Sequence, residues 1–325
     1  MTNWLRKLSF NPLPPLISSK NQAIRFFALH DLTEENAGNI NDLWQLPAAQ
    51  KLIRKQLPNG AWRYPGNDKP NLRSTEDYNQ LETFRVFGEL VEKYGLNKRH
   101  PAAKKAAAYL FSRQTSEGDF RGIYGTQYTP NYTAAIMELL IKAGYAEDPR
   151  IEKGYQWLLL IRQSDGGWAI PMRTANAKLN TGILAKKTLL HPDKTKPFSH
   201  LVTGVVLRAF AAHPEHRKSD AAKKAGELLA SRFFQKDAYP DRQASDFWLR
   251  FSFPFWFTDL LSALDSLSRM DFSAEHPQIA KALEWFVEHQ EENGAWNLKL
   301  LRTRDKDLSQ WISLSICRVF KRFYG

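Results

Sequence analysis

The stretch Pro149-Arg-Ile-Glu-Lys-Gly-Tyr-Gln-Trp-Leu-Leu-Leu-Ile-Arg-Gln-Ser-Asp-Gly-Gly-Trp168 supplies a ruler for the rest of the chain. Proline opens a helical pattern, Arg162 follows thirteen residues later, Gly166 four further and Trp168 two further. The same spacing recurs at Pro101, Gln114, Gly118 and Phe120, and at Pro277, Gln290, Gly294 and Trp296. Between these marks the apolar residues fall at i, i+4, i+7 and i+8: Ala103, Ala107, Leu110, Phe111; Ile151, Tyr155, Leu158, Leu159; Ile279, Leu283, Phe286, Val287. Each set is one stripe of an amphipathic helix. Proline suits the first helical position because its missing N–H would be unpaired there, and glycine suits the turn because it tolerates positive φ. Two weaker copies extend the series. Gln56-Leu-Pro-Asn-Gly-Ala-Trp62 keeps the glutamine, glycine and tryptophan, and Ala221 to Arg232 matches Ala102 to Arg113 at eight of twelve positions. In that last copy Asp237 stands in the glycine slot and Tyr239 in the aromatic slot.

After each turn a second, more evenly apolar helix is predicted, over 75–94, 130–144, 199–212, 254–270 and 307–323, with further helices over 17–30 and 42–56. Segment 254–270 is apolar on more than one face, which implies burial on more than one side. A closed ring with these helices inside and the Lys-rich ones outside accounts for the difference. Sustained period-two alternation is missing, so the reading is all-α, with about five to six helical hairpins. Residues 1–16 are expected to form an N-terminal extension and 17–325 a single domain.

The balance of 43% hydrophobic and 25% charged residues is that of a globular protein and excludes a disordered or coiled-coil chain. Net charge of +12 favours acidic partners without choosing among them. The single cysteine, Cys317, excludes an intramolecular disulfide and a Cys-rich zinc site. Prolines 12, 14 and 15 cut short the N-terminal Trp4-Leu-Arg-Lys-Leu-Ser-Phe10, and no run approaches 18 apolar residues. A cytoplasmic protein is expected, or one peripheral to an anionic membrane surface. The basic pairs Lys104-Lys105, Lys186-Lys187 and Lys223-Lys224 are dispersed like solvated faces, so no nucleic-acid partner is expected.

The pattern Gln-x3-Gly-x-Trp, with Asp165-Gly-Gly-Trp168 at its centre, resembles the Gln-Trp (QW) repeat of squalene and hopene cyclases and their α/α-toroid relatives, including protein prenyltransferase β subunits. The resemblance covers about residues 42 to 323. Gly-Gly-Trp turns also occur in α/α-barrel glycosidases and polysaccharide lyases. Phe247 to Asp259 and Trp311 to Arg322 most resemble a bacterial group described only as carrying prenyltransferase and squalene oxidase repeats. The resemblance implies an α/α toroid (barrel) in which Gln56, Gln114, Gln290, Trp62, Trp168 and Trp296 hold neighbouring hairpins together.

Class II terpene cyclases of this kind carry Asp-x-Asp-Asp before an inner helix; here Asp305-Lys-Asp307 supplies half of it. An aspartate before a helix commonly serves as N-cap, and Asp307 suits that role. The prenyltransferase likeness implies zinc on Asp, Cys and His, but Cys317 lies inside a predicted helix, and His191 and His200 stand nine apart as expected surface residues. No metal and no cofactor is expected. From the residues themselves, Asp259 is the preferred candidate for a general acid: a carboxyl among Phe255, Trp256 and Phe257 would be desolvated and its pKa raised. The competing reading has Asp259 bonded to backbone or to Arg250. Glu76, Asp77, Tyr78, Asn131, Tyr132 and Trp311 stand near other inner-helix starts and are expected to join Phe255 and Trp256 in lining one mouth. The expected function is binding of an isoprenoid or other apolar small molecule in a central aromatic-lined cavity, with catalysis open. The alternatives are a noncatalytic scaffold for a protein or peptide, and a carbohydrate-active barrel using Asp259 with Glu76 or Asp307.

Overall fold

The computed structural model describes residues 3–33, 35–66, 73–177, 188–301 and 305–325. Its helices are α1 (Leu13–Ile17), α2 (Gln22–Leu32), α3 (Pro47–Ile53), α4 (Thr75–Tyr94), α5 (Pro101–Ser112), α6 (Pro130–Leu140), α7 (Pro149–Leu160), α8 (Pro171–Thr174), α9 (His200–Ala212), α10 (Asp220–Ala230), α11 (Leu260–Arg269), α12 (Pro277–Glu288) and α13 (Leu308–Tyr324). Among the described residues, α2, α4, α6, α9, α11 and α13 touch in sequence and α13 returns to α2, closing an inner ring. Helices α5, α7 and α10 pack from outside onto α4, α6 and α9. The ring therefore has six inner helices: the five predicted second helices and α2. This is the expected all-α toroid. Lys104, Lys105, Lys223 and Lys224 are exposed on outer helices, while Lys186 and Lys187 lie outside the described residues.

The repeated turns explain how the hairpins are joined. Gln56 Nε2 donates to Gly60 O (3.0 Å) and to Ala102 O of the next outer helix (2.9 Å). Gln114 donates likewise to Gly118 O and Arg150 O. In the middle copy the ruler points to Arg162, but Gln163, one residue on, donates to Asp193 O (2.8 Å) and Lys196 O (2.9 Å). The glycines adopt φ of +90° (Gly60), +107° (Gly118), +108° (Gly166) and +83° (Gly294), conformations costly for residues with a Cβ. Close approach adds a second requirement: a Cβ on Gly60 would stand 2.2 Å from Lys105 O.

The indoles fix the other side of each turn. Trp62, Trp168 and Trp296 donate Nε1–H to Leu52 O, Leu158 O and Phe286 O at 2.7–2.8 Å. In the degenerate copy Tyr239 does not take this place; its hydroxyl donates to Pro197 O, and the buried Trp248 donates to Gln235 O (3.0 Å) instead. An inner-helix hydroxyl completes each joint: Thr83, Thr133, Thr203 and Ser313 accept the backbone N–H of Trp62, Phe120, Trp168 and Trp296.

The N-terminal residues occupy the seam of the ring. Gln290 Nε2 donates to Phe10 O and its Oε1 accepts from Phe10 N, both at 3.0 Å. The first segment thus stands where a further outer helix would otherwise meet the last turn. Segment Asn3–Lys7 packs on α13 and α1 packs on α2.

Candidate functional site

Chain geometry before α11 decides where the main candidate carboxyl lies. The predicted helix over 254–270 begins only at Leu260, because Pro254 interrupts it and Asp259 is its N-cap at φ −131°, ψ 175°. Asp259 Oδ1 accepts the Ser262 N–H at 2.8 Å, and Ser262 Oγ accepts the Asp259 N–H at 2.9 Å, a reciprocal capping box. Trp256 therefore lies outside the helix. Burial pushes the Asp259 carboxyl up to about 7 against the lowering pull of the Ser262 bonds and Arg208. Arg250 is engaged with Asp246 at 3.1 Å, not with Asp259.

A cavity of about 1130 Å³ lies between α4, the 252–256 segment and the start of α13. Phe253, Trp256 and Trp311 form its aromatic wall. Phe253 stacks on Trp311 (5.2 Å, 13°), and Trp256 meets Phe84 edge-on at 5.4 Å. Facing them from α4 are Arg85, Glu89, Lys93 and Tyr94, one helical stripe at i, i+4, i+8 and i+9. Asp305 and Asp307 close the site from the start of α13. Lys93 Nζ stands 2.5 Å from Asp305 and 3.8 Å from Glu89, and 6.0 Å from the Trp311 ring centroid. Arg85 forks onto Glu82 at 2.6 and 2.9 Å. Burial, with Glu89, Asp305 and Asp307 nearby, pushes the Tyr94 phenol up to about 12.

Of the residues singled out in the sequence, this cavity brings together Asp305, Asp307, Trp256 and Trp311. Asp307 stands at the N-cap of α13 but makes no side-chain cap bond; its Oδ2 accepts from Asn21 Nδ2 at 2.8 Å, and Asp305 Oδ1 accepts the Asp307 N–H. Asp259 does not line the cavity, and Phe255 is buried against Phe253. Glu76 is exposed, its carbonyl accepting from Tyr109, so it does not face Asp259. Asp77 closes the Ser74 capping box and pairs with Arg113 at 2.6 Å. Tyr78 is buried beside Tyr64 at 4.9 Å. Tyr132 is half-buried, edge-on to both Phe84 and Tyr124, beside Asn131, whose Oδ1 is buried without a partner among the described residues. His200 is not a surface residue: it is 5% exposed, stacked on Trp248 at 4.6 Å and 3.5 Å from Asp237. Cys317 is buried, which pushes its thiol up and removes it from any ligand set.

The polar stripe on α4 was missed because Arg85, Glu89 and Lys93 read as ordinary solvated helix positions. Their spacing of four residues and the half-buried or buried state of each show that they share one inward face.

A ring of helical hairpins with an amphipathic cavity defines a class of α/α-toroid protein. Residues 75–188, about a third of the chain, match the family model of the squalene-hopene cyclase C-terminal domain, and the all-α toroid fold agrees with that match. A probable squalene–hopene cyclase of Sinorhizobium fredii is 30% identical over 86 residues, 26% of this chain and 13% of that protein. The squalene–hopene cyclase of Zymomonas mobilis is 29% identical over 79 residues, 24% of this chain and 12% of that protein. The alignments thus span only about an eighth of these relatives. A type II terpene cyclase from Scytonema, solved with geranylgeranyl dihydroxybenzoate, superposes with a TM-score of 0.44 at 14% identity, covering 93% of this chain and 86% of that one. Among the described residues, no helix is long and apolar enough to cross a membrane.

Proposed function

We propose that the protein binds an isoprenoid or similar apolar molecule with a polar end in the cavity beside α4. The observation that carries this reading is the division of the cavity into an aromatic wall (Phe253, Trp256, Trp311) and a facing polar stripe (Arg85, Glu89, Lys93). Apolar pockets with a few convergent polar groups are the usual form of a small-molecule site. An isoprenoid body would lie against the rings and its polar end against α4. The match to the squalene-hopene cyclase family model supports the same ligand class. The reading is one of binding: Asp259, the carboxyl held near 7, lies outside the cavity, while Asp305 is paired with Lys93 and Asp307 with Asn21.

Native mass spectrometry of gently purified protein should reveal a copurifying apolar molecule. Tryptophan fluorescence should report saturable binding of farnesol or geranylgeraniol, weakened at least about tenfold in Trp256→Ala, a loss of about 1.4 kcal/mol. Trp256 is half-buried against Phe84, so this variant should lower the unfolding midpoint by only a few degrees and stay folded in the binding assay. Failure of both alcohols to bind saturably, or an unchanged affinity in Trp256→Ala, would overturn the proposal.

A further inference from the structure

The C-terminal portions of the inner helices carry a charged belt that the repeats do not require. Every inner helix contributes: Asp31 from α2, Glu92 from α4, Glu138 from α6, Arg208 from α9, Asp265 and Arg269 from α11, and Arg318 and Arg322 from α13. Lys142, just past α6, joins Glu92 (2.5 Å) to Glu138 (2.7 Å), and Arg208 reaches Glu138 at 2.9 Å. Asp265 accepts from Arg269 (3.0 Å) and from Arg322, whose Nε also donates to Ser268 Oγ. Arg318 pairs with Asp31 at 2.5 Å.

Within this belt lies a second cavity, of about 640 Å³, which shares no lining residue with the first but borders it at the last turn of α4, where Val91 and Glu92 line one and Lys93 and Tyr94 the other. Lys142, Arg269, Arg318, Lys321 and Arg322 line it against Asp31 and Glu92, with Phe27, Ile40, Val91 and Leu96 as an apolar side. Counting Arg208, Glu138 and Asp265 behind the lining, six cations face four carboxylates, an excess of two. Lys321 Nζ donates to the Asp31 carbonyl at 2.8 Å, and among the described residues no carboxylate stands within ion-pair distance of it. Burial, together with the nearby guanidinium groups of Arg269 and Arg318, holds Arg322 down at about 10. Helix C-termini carry partial negative charge that such cations also neutralise. That role requires cations at the helix ends, but it does not require them to border an open cavity.

We propose that this cavity binds a phosphate group, carried either by a soluble phosphate or diphosphate or by an anionic lipid headgroup. Clustered guanidinium groups and an ammonium suit a phosphate dianion, because each N–H directed at it is a charge-assisted bond. The apolar side formed by Phe27, Ile40, Val91 and Leu96 would accommodate a chain attached to the phosphate. This site shares no lining residue with the first cavity, so failure of either proposal leaves the other standing.

The test is calorimetric titration with sodium diphosphate at constant ionic strength, alongside cosedimentation with phosphatidylcholine vesicles with and without phosphatidylglycerol. Saturable diphosphate binding identifies a soluble phosphate ligand; binding confined to the phosphatidylglycerol vesicles identifies a headgroup. Either should weaken at least about tenfold in Lys321→Gln and persist in Lys321→Arg. Glu92→Gln, which removes a carboxylate from the lining, should bind more tightly and keeps the test open if Lys321→Gln fails to fold. Absence of both kinds of binding, or affinities unchanged in Lys321→Gln and in Glu92→Gln, would overturn the proposal.

Discussion

Asp259→Asn is expected to stabilise the protein above neutral pH. The side chain is 2% exposed, and burial raises its carboxyl from the ordinary 3.8 to about 7. The folded protein therefore holds this proton more tightly than the unfolded chain does. Below about pH 4 both states are protonated and the group is neutral in its effect on stability. As pH rises from about 4 to about 7, only the unfolded chain releases the proton, so stability declines, and above about 7 the penalty is constant. The displacement is worth at most roughly 4 kcal/mol at about 1.4 kcal/mol per pH unit. Asparagine caps helices about as well as aspartate, so the bond from Ser262 N–H should survive. Arg208, the nearby cation, is already paired with Glu138. Urea unfolding at intervals between about pH 4 and about pH 8 should show the variant exceeding the parent by roughly 2–4 kcal/mol at the upper end, with the gap closing toward the lower end. Groups that titrate alike in both proteins cancel in the difference. Parallel stability curves, or a variant less stable than the parent at pH 8, would refute the assignment of a desolvated carboxyl.

Two further substitutions probe the joints of the ring. Trp168→Ala removes a fully buried indole and its bond to Leu158 O, and should cost about 3–5 kcal/mol in urea unfolding while leaving farnesol affinity unchanged; equal melting temperatures would contradict this. Gly294→Ala places a Cβ 2.2 Å from Asn11 O at φ +83°, whereas Gly38→Ala has a similar φ of +85° with nothing within 4 Å. Both should pay about 1 kcal/mol or more for the backbone conformation, but only Gly294→Ala should expose the segment around Phe10 to limited proteolysis.

Local sequence carried the hairpins because their start and stop signals are local. Proline at the opening of α5, α7 and α12, and glycine at positive φ in the turns, act within a few residues of where they stand. Even there, the middle turn keeps the register of the others, Gln163 N donating to Gly167 O as Leu57 N does to Ala61 O, so Arg162 holds the glutamine's slot and Gln163 bonds the 193–196 connection instead of the next outer helix. The cavity was less legible because it is made from residues far apart in the chain. Asp305 and Trp311 were visible as a motif fragment and an aromatic near a helix start, yet their partners Lys93 and Phe253 lie more than fifty residues away. The charged belt is harder still. Asp31, Glu92, Lys142, Arg208, Asp265 and Arg322 look like unrelated charges until six helices bring them to one end. Their arrangement requires the ring to close in a fixed vertical register: Lys142 must stand level with Glu92, and Arg322 with Asp265. A shift of α13 by one turn would move it about 5.4 Å, enough to separate Arg322 from Asp265 and Arg318 from Asp31 together. Breaking the one pair buried on both sides, Arg208 with Glu138, costs about 3–5 kcal/mol, and the half-buried pairs of α13 add less each, so the belt acts on register across the ring while the turns fix only the spacing of neighbouring hairpins.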